Sequence, residues 1–108
     1  MAVDRVTPEL HERVLKRDGC CFLHLLFGAA HQCRDKWGVP HSAYDLHKLT
    51  VDHVHSHAGG TRGKRAPSDE RHLTAMCAYS NIAGPSRSVR EAQRDYLRSL
   101  YGVVDNLA

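Results

Sequence analysis

The chain has 108 residues, 42% of them hydrophobic and 25% charged, with a formal net charge of +3. This length supports one domain with a modest core, and no stretch is long and apolar enough for a transmembrane helix. Residues 1–10 lack the apolar run of a secretory signal, so we expect a cytoplasmic protein without a membrane partner. In that reducing compartment, four cysteines and nine histidines favour metal binding over disulfides.

The excess positive charge lies in the second half of the chain. Residues 1–60 hold seven Lys or Arg against seven Asp or Glu, whereas residues 61–108 hold eight against five. This asymmetry suits a surface that faces phosphate. On charge alone, an ordinary solvated surface is the more frequent explanation.

The first predicted element is a helix that begins after Thr7. Thr7 is a good N-cap, Pro8 suits the first helical position, and Gly19 is placed to end the helix. Apolar residues at 10, 14 and 15 form its buried stripe. The segment that follows, 20–33, mixes apolar residues with cysteines and histidines without a clear period. Residues 34–48 contain turn-forming residues throughout and are predicted as a loop.

The second half is predicted to hold a strand and two helices. Residues 49–54 are rich in β-branched side chains and bounded by turn signals, which predicts a strand. A pair of glycines then opens a basic loop. Ser68 is placed to cap a helix over 69–80, whose first turn is acidic. A last helix is predicted over 86–101 from apolar residues at helical spacing.

The stretch LTVDHVHSHAGG, residues 49–60, contains the most reactive combination of side chains. A carboxylate at Asp52 suits a hard divalent cation, His53 can take a proton from water, and the amide of Asn81 can supply a second oxygen ligand. In a regular strand Asp52 and His53 point to opposite faces, so both reach one phosphate only if the strand ends or distorts there. An alternative is that His53, His55 and His57 share one strand face and bind zinc together.

Several segments in this order resemble the HNH endonucleases, the ββα-metal family, and most closely the small HNH proteins of bacteriophages. The segments are RVLKRDGCC (13–21), LTVDHV (49–54), the glycine pair at 59–60, HLTAMC (72–77), Asn81 and the trailing Arg90, Arg94, Tyr96 and Leu97. The resemblance implies an α+β fold with a ββα-metal core at about 49–82. Within a single domain over 1–108, it adds an N-terminal helix and Cys/His segment at 7–33 and a C-terminal helix at about 86–101.

The resemblance also implies a role for each site residue. His53 matches the general base that activates water, and Asp52 matches the acidic ligand of a catalytic Mg²⁺ or Mn²⁺. His72 stands where the family has a central asparagine that braces the loop holding the base. Asn81 stands at the last histidine position, a metal ligand. The implied reaction hydrolyses DNA phosphodiester bonds to a 5′-phosphate and a 3′-hydroxyl.

Many members of this family carry a structural zinc on two C-x-x-C pairs. The matching positions read Cys21-x-x-His24 and Cys77-x-x-Ser80, and serine is a poor zinc ligand. Cys33 or His31 can fill the remaining position. The predicted zinc ligands are therefore Cys21, His24, Cys33 and Cys77, with His31 as the alternative to Cys33. The competing interpretation is that the cysteines are buried thiols without a metal.

The expected partner is DNA, bound by basic residues of the 61–66 loop and of the last helix. These residues are Arg62, Lys64, Arg65, Arg87, Arg90 and Arg94. A phage origin would place the protein in the host cytoplasm and add DNA-packaging proteins such as a terminase as partners, and we expect a monomer. The alternatives are a non-catalytic nucleic-acid-binding module that retains the HNH fold and a plain structural zinc domain.

Overall fold

The computed structural model describes residues 5–54 and 67–102. The chain forms two helices, two short strands, a longer hairpin and two further helices. In order, these are α1 (Pro8–Asp18), α2 (Phe22–Phe27), β1 (Cys33–Arg34), β2 (Pro40–His41), β3 (Leu49–His53), β4 (Leu73–Cys77), α3 (Ala78–Ala83) and α4 (Arg87–Tyr101). Both strand pairs are antiparallel. Helices with small antiparallel sheets make the chain α+β, as predicted. Among the described residues no helix is long and apolar enough to cross a membrane.

The two long helices have the ends that local capping residues predict. Thr7 Oγ1 accepts the backbone N–H of Leu10 at 3.2 Å, and Gly19 ends α1 with a φ of 74°. Ser86 Oγ accepts the N–H of Val89 at 3.3 Å at the start of α4. Both helix predictions are confirmed. Such helices can be predicted from the sequence because caps and left-handed glycines act locally and do not depend on the rest of the fold.

The predicted helix over 69–80 is wrong. Asp69 Oδ1 accepts the N–H of Arg71 at 2.8 Å and caps a single 3₁₀ turn over Glu70–His72. Strand β4 follows, and the helix is confined to α3, Ala78–Ala83. All five residues of β4 are buried. A strand covered on both faces lacks the polar alternation of a half-exposed strand, so its apolar run also matches a buried helix.

The hairpin pairs β3 with β4 from Leu49 opposite Cys77 to His53 opposite Leu73. Helix α3 follows β4 directly, so residues 49–83 have the order strand, strand, helix. The segment predicted as a loop, 34–48, contains a 3₁₀ turn over Leu46–Lys48 and all of the short β1–β2 hairpin except its first residue, Cys33. These two-residue strands are too short for sequence periodicity to detect.

The outer edge of β4 is covered by two residues of α1. Arg17 donates to the backbone oxygens of Glu70 and Leu73, both at 2.5 Å. Asp18 Oδ2 accepts the N–H of Ala75 at 2.7 Å, and its Oδ1 accepts the hydroxyl of Tyr96 at 2.6 Å. These bonds satisfy strand-edge groups that would otherwise need a further strand. They fix the hairpin between α1 and α4.

The outer edge of β3 is covered by side chains of α3 and α4. Asn81 Nδ2 donates to the backbone oxygen of Val51 at 3.0 Å, and Arg90 Nη1 donates to that of His53 at 2.8 Å. The two bonds lie two residues apart along the strand. They bring Asn81 and Arg90 beside Asp52, which connects the fold to the predicted catalytic residues.

Candidate functional site

Four side chains from separate parts of the chain converge in a cluster that can hold a metal ion. The cluster consists of Cys21, His31, Cys33 and Cys77, and one ligand atom of each lies within 4.8 Å of the others. The three cysteines are buried and His31 is half-buried. The cluster joins the start of α2, the β1–β2 hairpin and the junction of β4 with α3.

The spacing of these atoms fits a tetrahedral zinc site. His31 Nε2 lies 3.6 Å from the Sγ of Cys77 and 4.0 Å from the Sγ of Cys21. With Zn–S bonds of about 2.3 Å and Zn–N bonds of about 2.0–2.1 Å, tetrahedral angles place ligand sulfur and nitrogen about 3.5 Å apart. Three thiols and an imidazole are the ligand types that zinc prefers.

The environment of the cluster favours a thiolate at Cys77. The hydrogen bond with the Cys21 thiol lowers the pKa of Cys77 below its ordinary range, and the Cys77 sulfur also lies 3.2 Å from the Ser80 hydroxyl oxygen. Burial raises the pKa of Cys33 to about 11. A deprotonated sulfur is the form that binds metal, and a lowered pKa at Cys77 favours that form.

The predicted ligand His24 is not part of the cluster, and His31 takes its place. His24 Nε2 lies 3.1 Å from the Tyr44 hydroxyl, and the two rings meet edge to face. His24 lies in α2, and its contact with Tyr44 holds the ring outside the cluster. The H-x-C spacing of His31 and Cys33 is the sequence signal that matched the structure. Ser80 contacts the Cys77 sulfur through its hydroxyl and is not a ligand.

Asp52 is buried and paired on the α4 side of the hairpin. Its side chain is 5% exposed, and Oδ2 accepts Arg90 Nη1 and Gln93 Nε2, each at 2.7 Å. Gln93 also donates to Thr74 Oγ1 at 2.8 Å. The sequence had not identified Gln93. Its position three residues after Arg90 on α4 is the signal that both face the same strand.

His53 lies on the opposite face of β3 from Asp52, because the strand is regular through its last residue. The distortion needed to turn both side chains to one face is absent from this strand. His53 Nε2 lies 2.9 Å from Ser68 Oγ, a partner that the sequence did not indicate. His53 is the final residue of β3, so its ring stands at the end of the strand.

Asn81 has its amide oriented by two acceptors. Nδ2 donates to Thr50 Oγ1 at 2.9 Å and to the backbone oxygen of Val51 at 3.0 Å. Thr50 Oγ1 gives its own proton to the Met76 carbonyl at 2.8 Å, so it can only accept from Asn81. The amide nitrogen therefore faces the strand, and the carbonyl oxygen faces away from it.

His72 lies at the start of β4, where the loop between the strands closes. It is 2% exposed, and its Nδ1 lies 3.1 Å from Asp69 Oδ1. Its backbone oxygen accepts the N–H of Val54 at 2.8 Å, directly after His53. This position agrees with the predicted location of the brace. The role itself stays a prediction.

The predicted DNA-binding arginines of α4 differ in exposure. Arg87 is exposed and Arg90 is engaged with Asp52 and His53. Arg94 is only 4% exposed, so the predicted phosphate contact by Arg94 does not fit its position. It faces the interior because its spacing from Leu97 and Val89 places all three on the packed side of α4. The remaining predicted residues lie outside the described ranges: His55, His57, Arg62, Lys64 and Arg65.

Comparison with known proteins gave no relative from which a function could be transferred. No protein-family model, curated protein or solved structure matches the chain. A function for the chain is therefore inferred from the geometry of the cysteine cluster and of the residues around the edge of β3.

Proposed function

We propose that the chain is a metal-dependent DNA endonuclease of the HNH type. The observation that carries the proposal is the set of side chains around the last residues of β3. Asp52 and His53 end this strand, and Asn81 of α3 is bonded to its backbone at Val51. The order strand, strand, helix over 49–83 also agrees with the core that the resemblance implies.

Asp52 and Asn81 are the proposed ligands of the catalytic cation. Carboxylate and amide oxygens are the ligands that Mg²⁺ and Mn²⁺ prefer. Both bonds to Asp52 use Oδ2, and within the described part of the chain Oδ1 receives no hydrogen bond. The amide oxygen of Asn81 faces away from β3, because its amide nitrogen donates both hydrogen bonds to that strand. When bound, the cation would stabilise the negative charge that develops on the leaving 3′ oxygen.

His53 is the proposed general base that accepts a proton from the attacking water. Ser68 contacts the ring at Nε2, and Arg90 holds the backbone oxygen of the same residue. Arg90 also binds the carboxylate of Asp52, so one guanidinium fixes the base and the acidic ligand relative to each other. Arg90 is therefore a positioning residue. Asp52 and His53 point to opposite faces of β3, so the proposed site requires the backbone to change direction at the end of this strand when the substrate binds.

The cysteine cluster is the proposed site of a structural zinc. Its four ligands link α2, the β1–β2 hairpin and the start of α3. A metal at this position would fix α3, and hence Asn81, against the hairpin. The zinc and the catalytic cation have separate ligand sets, because no residue belongs to both.

The competing function is a nucleic-acid-binding module without catalysis. It is favoured by the ion pair between Asp52 and Arg90, whose atoms lie 2.7 Å apart in a mostly buried setting. Such a pair can serve packing alone. In that case Asp52 would not bind a cation, and DNA would be bound but not cut.

Cleavage of supercoiled plasmid separates the two functions. We expect nicked or linear product with Mg²⁺ or Mn²⁺ and none with EDTA. The Asn81→Ala variant, purified in the same way, should lose this activity and so exclude a contaminating nuclease. DNA binding without cleavage at any divalent cation tested would contradict the endonuclease and favour the binding module.

A further inference from the structure

The turn between β1 and β2 displays the only tryptophan of the chain. Trp37 is 78% exposed, the highest value among the large apolar side chains that the structure describes as exposed. An indole combines a large apolar face with a polar N–H, and such side chains are enriched where proteins bind partners. Most of the apolar area of this ring lies in water, and a bound partner would cover it.

The turn holds Trp37 in a fixed position. Asp35 Oδ1 accepts the backbone N–H of Trp37 at 2.8 Å and that of Val39 at 2.9 Å. Gly38 has a φ of 83°, and its oxygen accepts Arg34 Nη1 at 2.9 Å. Arg34 follows Cys33 of the metal cluster, so the turn is anchored at its base. A rigid backbone reduces the conformational entropy that is lost on binding.

The surroundings of the ring are basic. Lys36 Nζ lies 5.0 Å from the centroid of the Trp37 ring, and residues 34–37 carry two cations, Arg34 and Lys36, against one carboxylate, Asp35. Positive charge beside an exposed aromatic ring matches a nucleic acid, which offers flat base faces and phosphates together. A protein groove for tryptophan would be lined by apolar groups, which offer no partner for the charge of Lys36.

We propose that Trp37 stacks on an unpaired base of DNA while Lys36 contacts an adjacent phosphate. The turn over 35–39 would then be a second contact with the substrate of the proposed endonuclease, on which this inference rests. It would favour DNA with single-stranded or distorted regions, because a base inside a regular duplex has no free face.

The single tryptophan makes a direct test possible without cleavage. We would titrate the zinc-loaded protein, without added Mg²⁺ or Mn²⁺ so that no cleavage occurs, with a labelled single-stranded oligonucleotide, following its anisotropy and the tryptophan fluorescence together. We expect the fluorescence to be quenched with the same midpoint as the anisotropy change. Trp37→Ala should weaken binding roughly 10-fold, and Trp37→Phe should recover part of the loss. Val39→Ala, which shortens an exposed side chain of the same turn, should bind like the wild type.

Two results separate this inference from the proposed function. Saturation by anisotropy with unchanged fluorescence, and full affinity in Trp37→Ala, would overturn the stacking proposal even if the plasmid is cut. Quenching in a protein that cuts no plasmid would support stacking and remove only the nuclease.

Discussion

The two histidines considered as zinc ligands, His31 and His24, differ in a way that zinc analysis can resolve. His31 Nε2 lies 3.6 Å from the Cys77 sulfur, whereas His24 is paired with Tyr44. We expect dialysed wild-type protein and His24→Ala to retain about one zinc per chain by elemental analysis, and His31→Ala to hold much less. Equal retention by the two variants would contradict the ligand set, as would zinc-free wild-type protein.

Asp52 requires a mild substitution, because its carboxylate is buried and paired with two residues of α4. Alanine would leave Arg90 and Gln93 without their buried acceptor, which we expect to lower the free energy of unfolding by roughly 3–5 kcal/mol. Asparagine keeps an acceptor oxygen but loses the charge that attracts a cation. Asp52→Asn should therefore stay folded and cleave slower by a factor on the order of 10². Urea unfolding and cleavage rates measure the two effects, and wild-type cleavage by Asp52→Asn would remove this residue from the site.

At the scale of elements, the bond between Tyr96 and Asp18 connects α4 to α1 beside β4. Tyr96→Phe removes only the hydroxyl, and we expect a loss of about 1–2 kcal/mol in the free energy of unfolding by urea. Burial, reinforced by Asp18, raises the pKa of Tyr96 above its ordinary value of 10.0. The stabilisation is therefore complete below pH 10 and is lost as the pH rises through the raised pKa.

Tyr79→Phe is the matched control, because it removes the same atom from a ring that is 52% exposed on α3. It should leave the free energy of unfolding nearly unchanged. Equal effects of the two substitutions would show that the Tyr96 hydroxyl does not stabilise the contact.

The elements differ in how far the sequence could predict them. α1 and α4 were predicted because Thr7 and Ser86 cap them locally. β4 was predicted as a helix, since a strand covered on both faces has no polar alternation to reveal it. The ligands Cys21, Cys33 and Cys77 could be named from composition and the resemblance. The choice between His24 and His31 as the fourth ligand could not be made from the sequence. It depended on α2, an unpredicted helix in which His24 contacts Tyr44 and lies outside the cluster.

At the scale of the whole molecule, the cluster joins segments from residue 21 to residue 77. Metal binding at such a site is coupled to folding. We expect a strong chelator to lower the Tm of the wild-type protein by several degrees or more, and added zinc to restore it. Cys77→Ser should have the lower Tm from the start and respond little to the chelator.

Cys20→Ser is the control for this experiment, since Cys20 is also buried but lies outside the cluster. It should respond to the chelator as the wild type does. A wild-type Tm that is the same with and without chelator would leave the cysteines as ordinary core residues.

His53, the last residue of β3, is the proposed general base of the hydrolytic site. The most direct measurement is the plasmid-cleavage rate of His53→Ala at saturating Mn²⁺. His47→Ala serves as the control, because it removes the same ring from an exposed position in the turn over Leu46–Lys48. We predict a rate lower by a factor on the order of 10² or more for His53→Ala and an unchanged rate for His47→Ala. Cleavage at the wild-type rate by a folded His53→Ala protein would show that His53 is not the general base.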